Sequence, residues 1–321
     1  MFKDVLFAAV LGVFSTSTAI AGDTAQSWLM RMHHAAKTVS YEGIFVYLHD
    51  NRIETMQVAH ELVKGVHRER LFSLNGEARE IIRDKDQVWC YLPNRKMGVH
   101  EYRRASTSGF PAVLAERIDM LKESYDLNLG SQDRIAGRPV QLLVVKPKDE
   151  FRYGYRFWID TEHGLLLKVD LVGQKGRAIE QYMFTHITVK SKIDNTQFMP
   201  VTPKANLVWH GDEKKPPSAS SLSGWVAQKL PKGYRLTSKT SRLQPVKKVP
   251  LEHLVYSDGI SAVSVFIEKL QPGDTQPMLG LSHMGAVNAF GRVLDGYQIT
   301  AVGEVPAVTV DYIGRAVVHK N

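Results

Sequence analysis

A single cysteine, Cys90, among 321 residues rules out a disulfide framework within the chain. It sits in the apolar stretch 88–92, where a thiol is read as buried and inert rather than reactive. No apolar run reaches the roughly 20 residues that cross a bilayer, so the sequence predicts no membrane-spanning helix. Metal and catalytic signatures are missing as well. The twelve histidines are scattered, with no His-Glu-x-x-His helix and no Cys/His cluster. Ser282, in Gly280-Leu281-Ser282-His283-Met284, fails the nucleophile-elbow pattern because Met284 takes the place of the second glycine. There is no phosphate-cradling loop, no dinucleotide fingerprint and no carboxylate pair that stands out from the surface background. Together these gaps predict a protein that is not an enzyme and carries no metal or cofactor.

What is present begins at the first residue. Lys3, the apolar stretch 5–14 and the triplet Ala19-Ile20-Ala21 before Gly22 have the three-part layout of a secretory signal peptide cleaved after Ala21. The mature chain is predicted to be exported and soluble, and residues 22–321 are enough for two domains. The formal net charge of +8 is unevenly spread. Residues 190–250 hold twelve Lys and Arg against Asp194, Asp212 and Glu213, so everything else is nearly neutral. Such a band attracts an anionic partner, and its other reading is a solvated linker kept soluble by lysines. Export removes nucleic acid from the candidate partners and leaves anionic headgroups or an acidic protein segment.

Asp23 or Thr24 can cap a helix with Trp28, Leu29, Met32, Ala35 and Ala36 on one face. Strands are predicted at 41–48, 53–62, 66–74, 80–83 and 87–92, with turns at Asp50, Asn51, Asn75 and Gly76. Short turns imply antiparallel pairing, because a parallel crossover needs a dozen residues or more. Pro111 then opens a predicted helix with Leu114, Ile118, Leu121 and Tyr125 at helical spacing, laid across one face of the sheet. Strands resume at 140–145, 153–159, 165–172 and 178–189. Periodicity is lost over 190–223, which is read as a basic linker. The organisation expected is signal peptide 1–21, a large domain 22–189, the linker, and a small α+β domain 224–321. In the small domain, strands at 251–256 and 260–267 meet at Ser257-Asp258-Gly259, and those at 286–293 and 297–302 meet at Asp295-Gly296, before a helix opened by Pro306.

The strand at 41–48 carries Tyr41, Phe45 and Tyr47 on one face and Ile44, Val46 and Leu48 on the other, so both faces look buried. A curved sheet whose concave side is covered by the helix near Leu114 would account for this. Such a half-barrel could hold an acyl chain among Phe45, Tyr47, Phe72, Trp89, Tyr91 and Trp158; the alternative is an ordinary filled core.

The segment HLVYSDGISAVSVFIE at 253–268, with WVAQKLPKGYRL at 225–236, GAVNAF at 285–290 and VGEVPAVTV at 302–310, resembles the RseB/MucB family of sigma-E regulatory proteins. SYEGIFVY at 40–47, HRERL at 67–71 and RFWIDTEHGLLLKVDL at 156–171 agree, so the resemblance covers essentially the whole mature chain. It implies a periplasmic negative regulator of the envelope stress response. The large domain would be an α+β, LolA/LolB-like half-barrel of curved antiparallel sheet covered by helices. The protein would bind the periplasmic domain of a membrane-spanning anti-sigma factor of RseA/MucA type and shield it from proteolysis until lipopolysaccharide or another acyl lipid relieves the shield. The partner surface is placed at Lys214, Lys215, Trp225, Lys229, Lys232, Tyr256, Ser257, Asp258 and Gly259, although the tight turn at Asp258 and Gly259 is explained equally well as structure. A periplasmic lipid or lipoprotein carrier is the alternative function, and monomer and homo-oligomer both stay open.

Overall fold

A computed structural model describes residues 23–63, 66–102, 121–211, 224–243, 249–273 and 277–320. The signal peptide, the expected helix through Leu114 and Ile118, and Lys214 and Lys215 lie outside these residues.

The first helix, α1 (Ala25–Thr38), starts where Thr24 and Ser27 bond reciprocally: Ser27 N–H donates to Thr24 Oγ1 at 3.1 Å and Thr24 N–H donates to Ser27 Oγ at 2.9 Å. Its buried face, Trp28, Leu29, Met32 and Ala35, enters the main core. A long sheet follows. Its strands are β1 (Tyr41–His49), β2 (Arg52–Val63), β3 (Val66–Ser73), β4 (Glu80–Asp84), β5 (Gln87–Leu92) and β6 (Met97–Tyr102), then, after the short α2 (Leu121–Ser124), β7 (Tyr125–Ile135), β8 (Arg138–Pro147), β9 (Gly154–Asp160), β10 (Leu166–Val172), β11 (Ala178–Val189) and β12 (Val208–Gly211). Asp50 and Asn51 both take positive φ, 45° and 59°, as the tight β1–β2 turn requires. Tyr125, expected in a helix, instead begins β7.

The strand order is β12-β6-β5-β4-β3-β2-β1-β11-β10-β9-β8-β7, which corrects the expected curved antiparallel half-barrel. The sheet is open, since β12 and β7 each have one neighbour, and it is not strongly curled. It is also mixed, because β12 runs parallel to β6. The cause lies in residues 190–207, which cross from central β11 to the far edge as a strap held by buried carboxylates. Ile193 N–H donates to Glu61 at 3.0 Å, and Val201 N–H donates to Glu80 at 3.1 Å. Arg70 Nε meets Glu80 at 2.5 Å, and the Arg68 guanidinium lies 4.2 Å over Phe198, which is buried with Ala59 and Ile193. A chain that crosses the sheet before pairing can arrive parallel; a short turn cannot.

At the strap's end Trp209 lies edge-on to Tyr91, 5.2 Å between ring centroids, and donates through Nε1 to Lys204 O at 3.0 Å. Gly98 makes room for it, since a Cβ there would stand 2.7 Å from the indole. Gly98→Ala is expected to push Trp209 off Tyr91, shift its fluorescence and cost about 1–3 kcal/mol. Unchanged emission and an unchanged denaturation midpoint would refute that seating.

The second unit comprises β13 (Trp225–Ala227), β14 (Arg235–Leu243), β15 (Pro250–Ser257), β16 (Ala262–Lys269), β17 (Gly280–Met284), β18 (Val287–Leu294), β19 (Tyr297–Gly303), α3 (Ala307–Ala316) and β20 (Val317–His319). Six of its strands form an antiparallel sheet, β14-β15-β16-β19-β18-β17, and β13 pairs with β20. Val310 and Ile313 of α3 pack into a core with Leu254, Val265, Phe290 and Ile299. The sequence did not foresee β6, β7, β12, β13, β14, β17 or β20.

Candidate functional site: the junction between the two units

The β15–β16 turn closes on itself first. Asp258 Oδ1 accepts from the backbone N–H groups of Ile260 (3.0 Å) and Ser261 (2.8 Å), Ser257 Oγ donates to Ser261 O at 2.8 Å, and Gly259 sits at φ 106°, where a side chain would be strained. That leaves Asp258 Oδ2 to reach the first unit. It accepts from Tyr125 Oη at 2.9 Å and lies 3.0 Å from Arg152 Nε, an ion pair whose two side chains are fully buried. The ion pair does not have the angle of a hydrogen bond at Nε.

Arg152 collects four further contacts. Its Nη1 meets Asp149 at 3.0 Å, its Nη2 donates to Lys232 O at 2.6 Å, and its guanidinium lies 5.1 Å from the Tyr234 ring and 5.5 Å from that of Tyr125. Burial, and after it the Asp258 charge, push the Tyr125 hydroxyl well above its ordinary range, so it stays protonated and donates. Alongside, Tyr234 Oη and Ser261 Oγ lie 2.6 Å apart, and Thr309 Oγ1 donates to Phe151 O at 2.7 Å.

A second polar contact lies at β11. Glu180 accepts from Tyr47 Oη in the first unit and from Ala286 N–H (3.0 Å) in the second. Asn288 Nδ2 donates to Tyr153 Oη at 3.2 Å nearby.

The described partner residues expected from sequence fall into three groups. Lys229 and Lys232 are exposed on the loop that Arg152 holds through the Lys232 carbonyl. Trp225 and Tyr256 are core residues: Trp225 packs against Tyr297 and His319, and Tyr256 Oη accepts from Ala227 N–H at 2.8 Å. Asp258 is buried in the junction, with Ser257 and Gly259 shaping its turn.

The six residues expected to line an acyl pocket do not share one surface. Strand register puts Phe45 and Tyr47 on the α1 side, with Phe184, Tyr182 and Phe157, and puts Phe72, Trp89, Tyr91 and Trp158 on the strap side. Trp89 and Trp158 are seven strand spacings apart, about 34 Å at 4.8 Å per strand. Trp89 stacks on His100 with Lys204 5.0 Å from its ring, and Lys168 covers Trp158 at 4.0 Å. Cys90 is half-buried, and burial pushes its thiol up.

Sequence reasoning gave no junction role to Tyr125, Arg152 or Glu180. The one available signal is an arginine between two aromatics, Phe151-Arg152-Tyr153, in a stretch that otherwise reads as a polar loop.

Residues 24–202 match the family model for the MucB/RseB N-terminal domain, and residues 219–318 match that for the MucB/RseB C-terminal domain. The sigma factor AlgU regulatory protein MucB of Pseudomonas aeruginosa is 30% identical over 324 residues, covering 98% of this chain and 95% of that protein. The sigma-E factor regulatory protein RseB of Escherichia coli K12 is 26% identical over 310 residues, covering 94% and 92%. Among solved structures, a Pseudomonas aeruginosa MucA/MucB complex aligns with a TM-score of 0.70 at 28% identity over 92% of this chain and 99% of the other. MucB in complex with MucA(peri) aligns at 0.68 and 28% identity over 93% and 100%.

Proposed function

The chain belongs to the MucB/RseB family, and from that membership we propose that it binds the periplasmic domain of a membrane-spanning anti-sigma factor and so restrains the sigma-E envelope stress response. The observation that carries this reading is the alignment of nearly the whole chain, both units together, with MucB as solved in complex with MucA. The protein is a periplasmic regulator and not an enzyme, as its relatives' names as regulatory proteins indicate.

The finer parts of the proposal concern where the partner sits and what removes it. Exposed Lys229 and Lys232, anchored at the junction by Arg152, present two fixed positive charges to an acidic segment of the partner. The partly exposed strap-side aromatics Trp89 and Trp209, seated on buried Tyr91 and beside Lys204, offer an apolar surface with a cation for an acyl lipid bearing phosphate. Phe45 contributes to the core instead, and Tyr47 is engaged by Glu180. If lipid and partner favour different arrangements of the two units, each must weaken the other's binding by the same factor.

Titrating the full-length protein with the anti-sigma periplasmic domain, with and without lipopolysaccharide, tests this. Partner affinity is expected to fall about 5- to 150-fold with lipid present, the range of typical coupling energies. Charge reversal of Lys229 and Lys232 together should weaken partner binding and flatten its dependence on salt. Equal affinity with and without lipid would remove the release step, and an unchanged salt dependence in the charge-reversed protein would move the partner surface elsewhere.

A further inference from the structure

Taking the partner proposed above as given, we propose that β14 receives it by strand addition: an extended, acidic segment of the anti-sigma periplasmic domain pairs along the free edge of β14 and becomes a seventh strand of that sheet. β14 ends the sheet with β15 as its one neighbour, and among the described residues no other backbone hydrogen bond reaches it. Alternate N–H and C=O groups of such a strand point outward, a template for another chain. A bulge after Leu236 interrupts the start of the edge. From Ser238 to Leu243 the pairing with β15 is unbroken, a run of about 20 Å at 3.4 Å per residue.

The edge is held firmly in place. Tyr234, just before β14, is buried with its Oη 2.6 Å from Ser261 Oγ, and the loop ahead of it is tied to Arg152 through the Lys232 carbonyl. Thr237 Oγ1 donates to Val255 O at 3.1 Å, and Lys239 Nζ donates to Trp225 O at 3.1 Å. A strand already ordered in this way has little freedom left to lose when a partner pairs with it.

Charge decides which chain can use the edge. Residues 225–251 contain seven Lys and Arg, with Arg235, Lys239 and Arg242 on β14 itself, and no Asp or Glu. A second copy pairing here would set these cations against their own kind, the usual protection of an exposed edge. An acidic strand meets the opposite sign along its length while its main chain completes the ladder. Lys229 and Lys232, exposed on the loop leading into β14, extend the same field, and among the described residues neither they nor Arg235 are in a salt bridge. Exposed Leu236 adds an apolar contact. The other sheet edges lack this selectivity: β7 mixes Asp126 and Asp133 with Arg134 and is bulged after Leu129, and β12 and β17 carry no Asp, Glu, Lys or Arg.

Hydrogen exchange of the full-length protein, free and bound to the anti-sigma periplasmic domain, tests the pairing. Amides of residues 238–243 that point away from β15 are expected to gain protection by about tenfold or more on binding, while those of β17, at the opposite edge, stay unchanged. Arg235→Glu with Arg242→Glu should weaken partner binding about tenfold or more. Lys175→Glu with Arg177→Glu, the same change of charge on the exposed β10–β11 turn, should weaken it no more than about twofold. Partner binding without new protection at β14, or equal losses in the two double variants, would overturn strand addition and leave the partner itself standing. No binding by the wild type would overturn both. Protection at β14 that rises with the concentration of this protein alone, together with a dimeric mass, would put a second copy on the edge and overturn the proposal as well.

Discussion

Asp258→Ala is expected to destabilise the protein by about 3–5 kcal/mol, the cost of removing one partner of a buried ion pair, and to split its unfolding into two transitions. Asp258 satisfies four groups at once: the Arg152 guanidinium, the Tyr125 hydroxyl, and the N–H groups of Ile260 and Ser261. Alanine strands all of them in a dry place, and each unpaired donor costs about 1–3 kcal/mol. Asp149 still faces Arg152, which keeps the loss below that of a wholly uncompensated charge. The damage is directional, because two of the four groups belong to the first unit and the other two shape the turn that meets it. The two cores share few residues, Ala286 and Ile260 of the second unit packing into the first, so they should melt separately once the buried ion pair is gone. Arg152→Met in the same background should restore part of the stability by removing the orphaned cation, giving a coupling energy of about 1–3 kcal/mol in the double-mutant cycle. Calorimetry showing one transition at the wild-type midpoint in Asp258→Ala would mean that this ion pair does not join the units.

Glu80→Ala should cost about 3 kcal/mol by the same physics at the other end of the molecule. Glu80 is buried, takes Arg70 Nε at 2.5 Å, and accepts Val201 N–H through both oxygens, at 3.1 Å and 3.3 Å. Without it Arg70, nearly as buried, keeps a long hydrogen bond from Nη1 to Gln197 O at 3.3 Å and its place over the Phe72 ring at 5.1 Å, and the strap loses its grip midway. Trypsin should then cut at Lys204 much faster than in the wild type, and the urea midpoint should fall. Pairing Glu80→Leu with Arg70→Met should recover most of the stability while leaving the strap cleavable, since an apolar pair replaces the ions but not the acceptor of Val201 N–H. Wild-type cleavage kinetics in Glu80→Ala would show that the strap is held by Phe198 and Ile193 alone.

Alternation and turn chemistry made the central strands legible. The predicted spans 41–48, 53–62, 66–74, 80–83 and 87–92 match β1 to β5 to within two residues, because each strand sets apolar residues against polar ones and ends at Asp, Asn or Gly. Pro306 before the last helix was equally plain, and of the two candidate caps of the first helix, Asp23 and Thr24, the structure uses Thr24. The parallel edge was not. Val208–Gly211 is short and exposed, and what holds its approach is Glu61 and Glu80 on strands more than 100 residues earlier. Residues 190–223 looked like a linker because carboxylates, rather than an apolar repeat, fasten 190–207 down. The apparent double burial of β1 had a simpler source than a barrel. Tyr41 and Phe45 fill the core, while Ile44 and Val46 are only partly covered and Leu48 is exposed. The junction stayed hidden for a related reason: Arg152 and Asp258 are 106 residues apart, and nothing local marks a charged residue as buried.

The strap also orders events in time. Its hydrogen bonds join residues 132 and 121 positions apart, so the chain must close long loops to form them, after the β1–β6 hairpins have supplied the surface on which it lies. It is therefore a late contact in folding. Mutations within it should speed unfolding and leave the folding rate nearly untouched. Until it docks, a newly exported chain shows the uncovered edge of β6 to its neighbours, and the strap-side aromatics beside that edge make this the interval in which aggregation competes with folding.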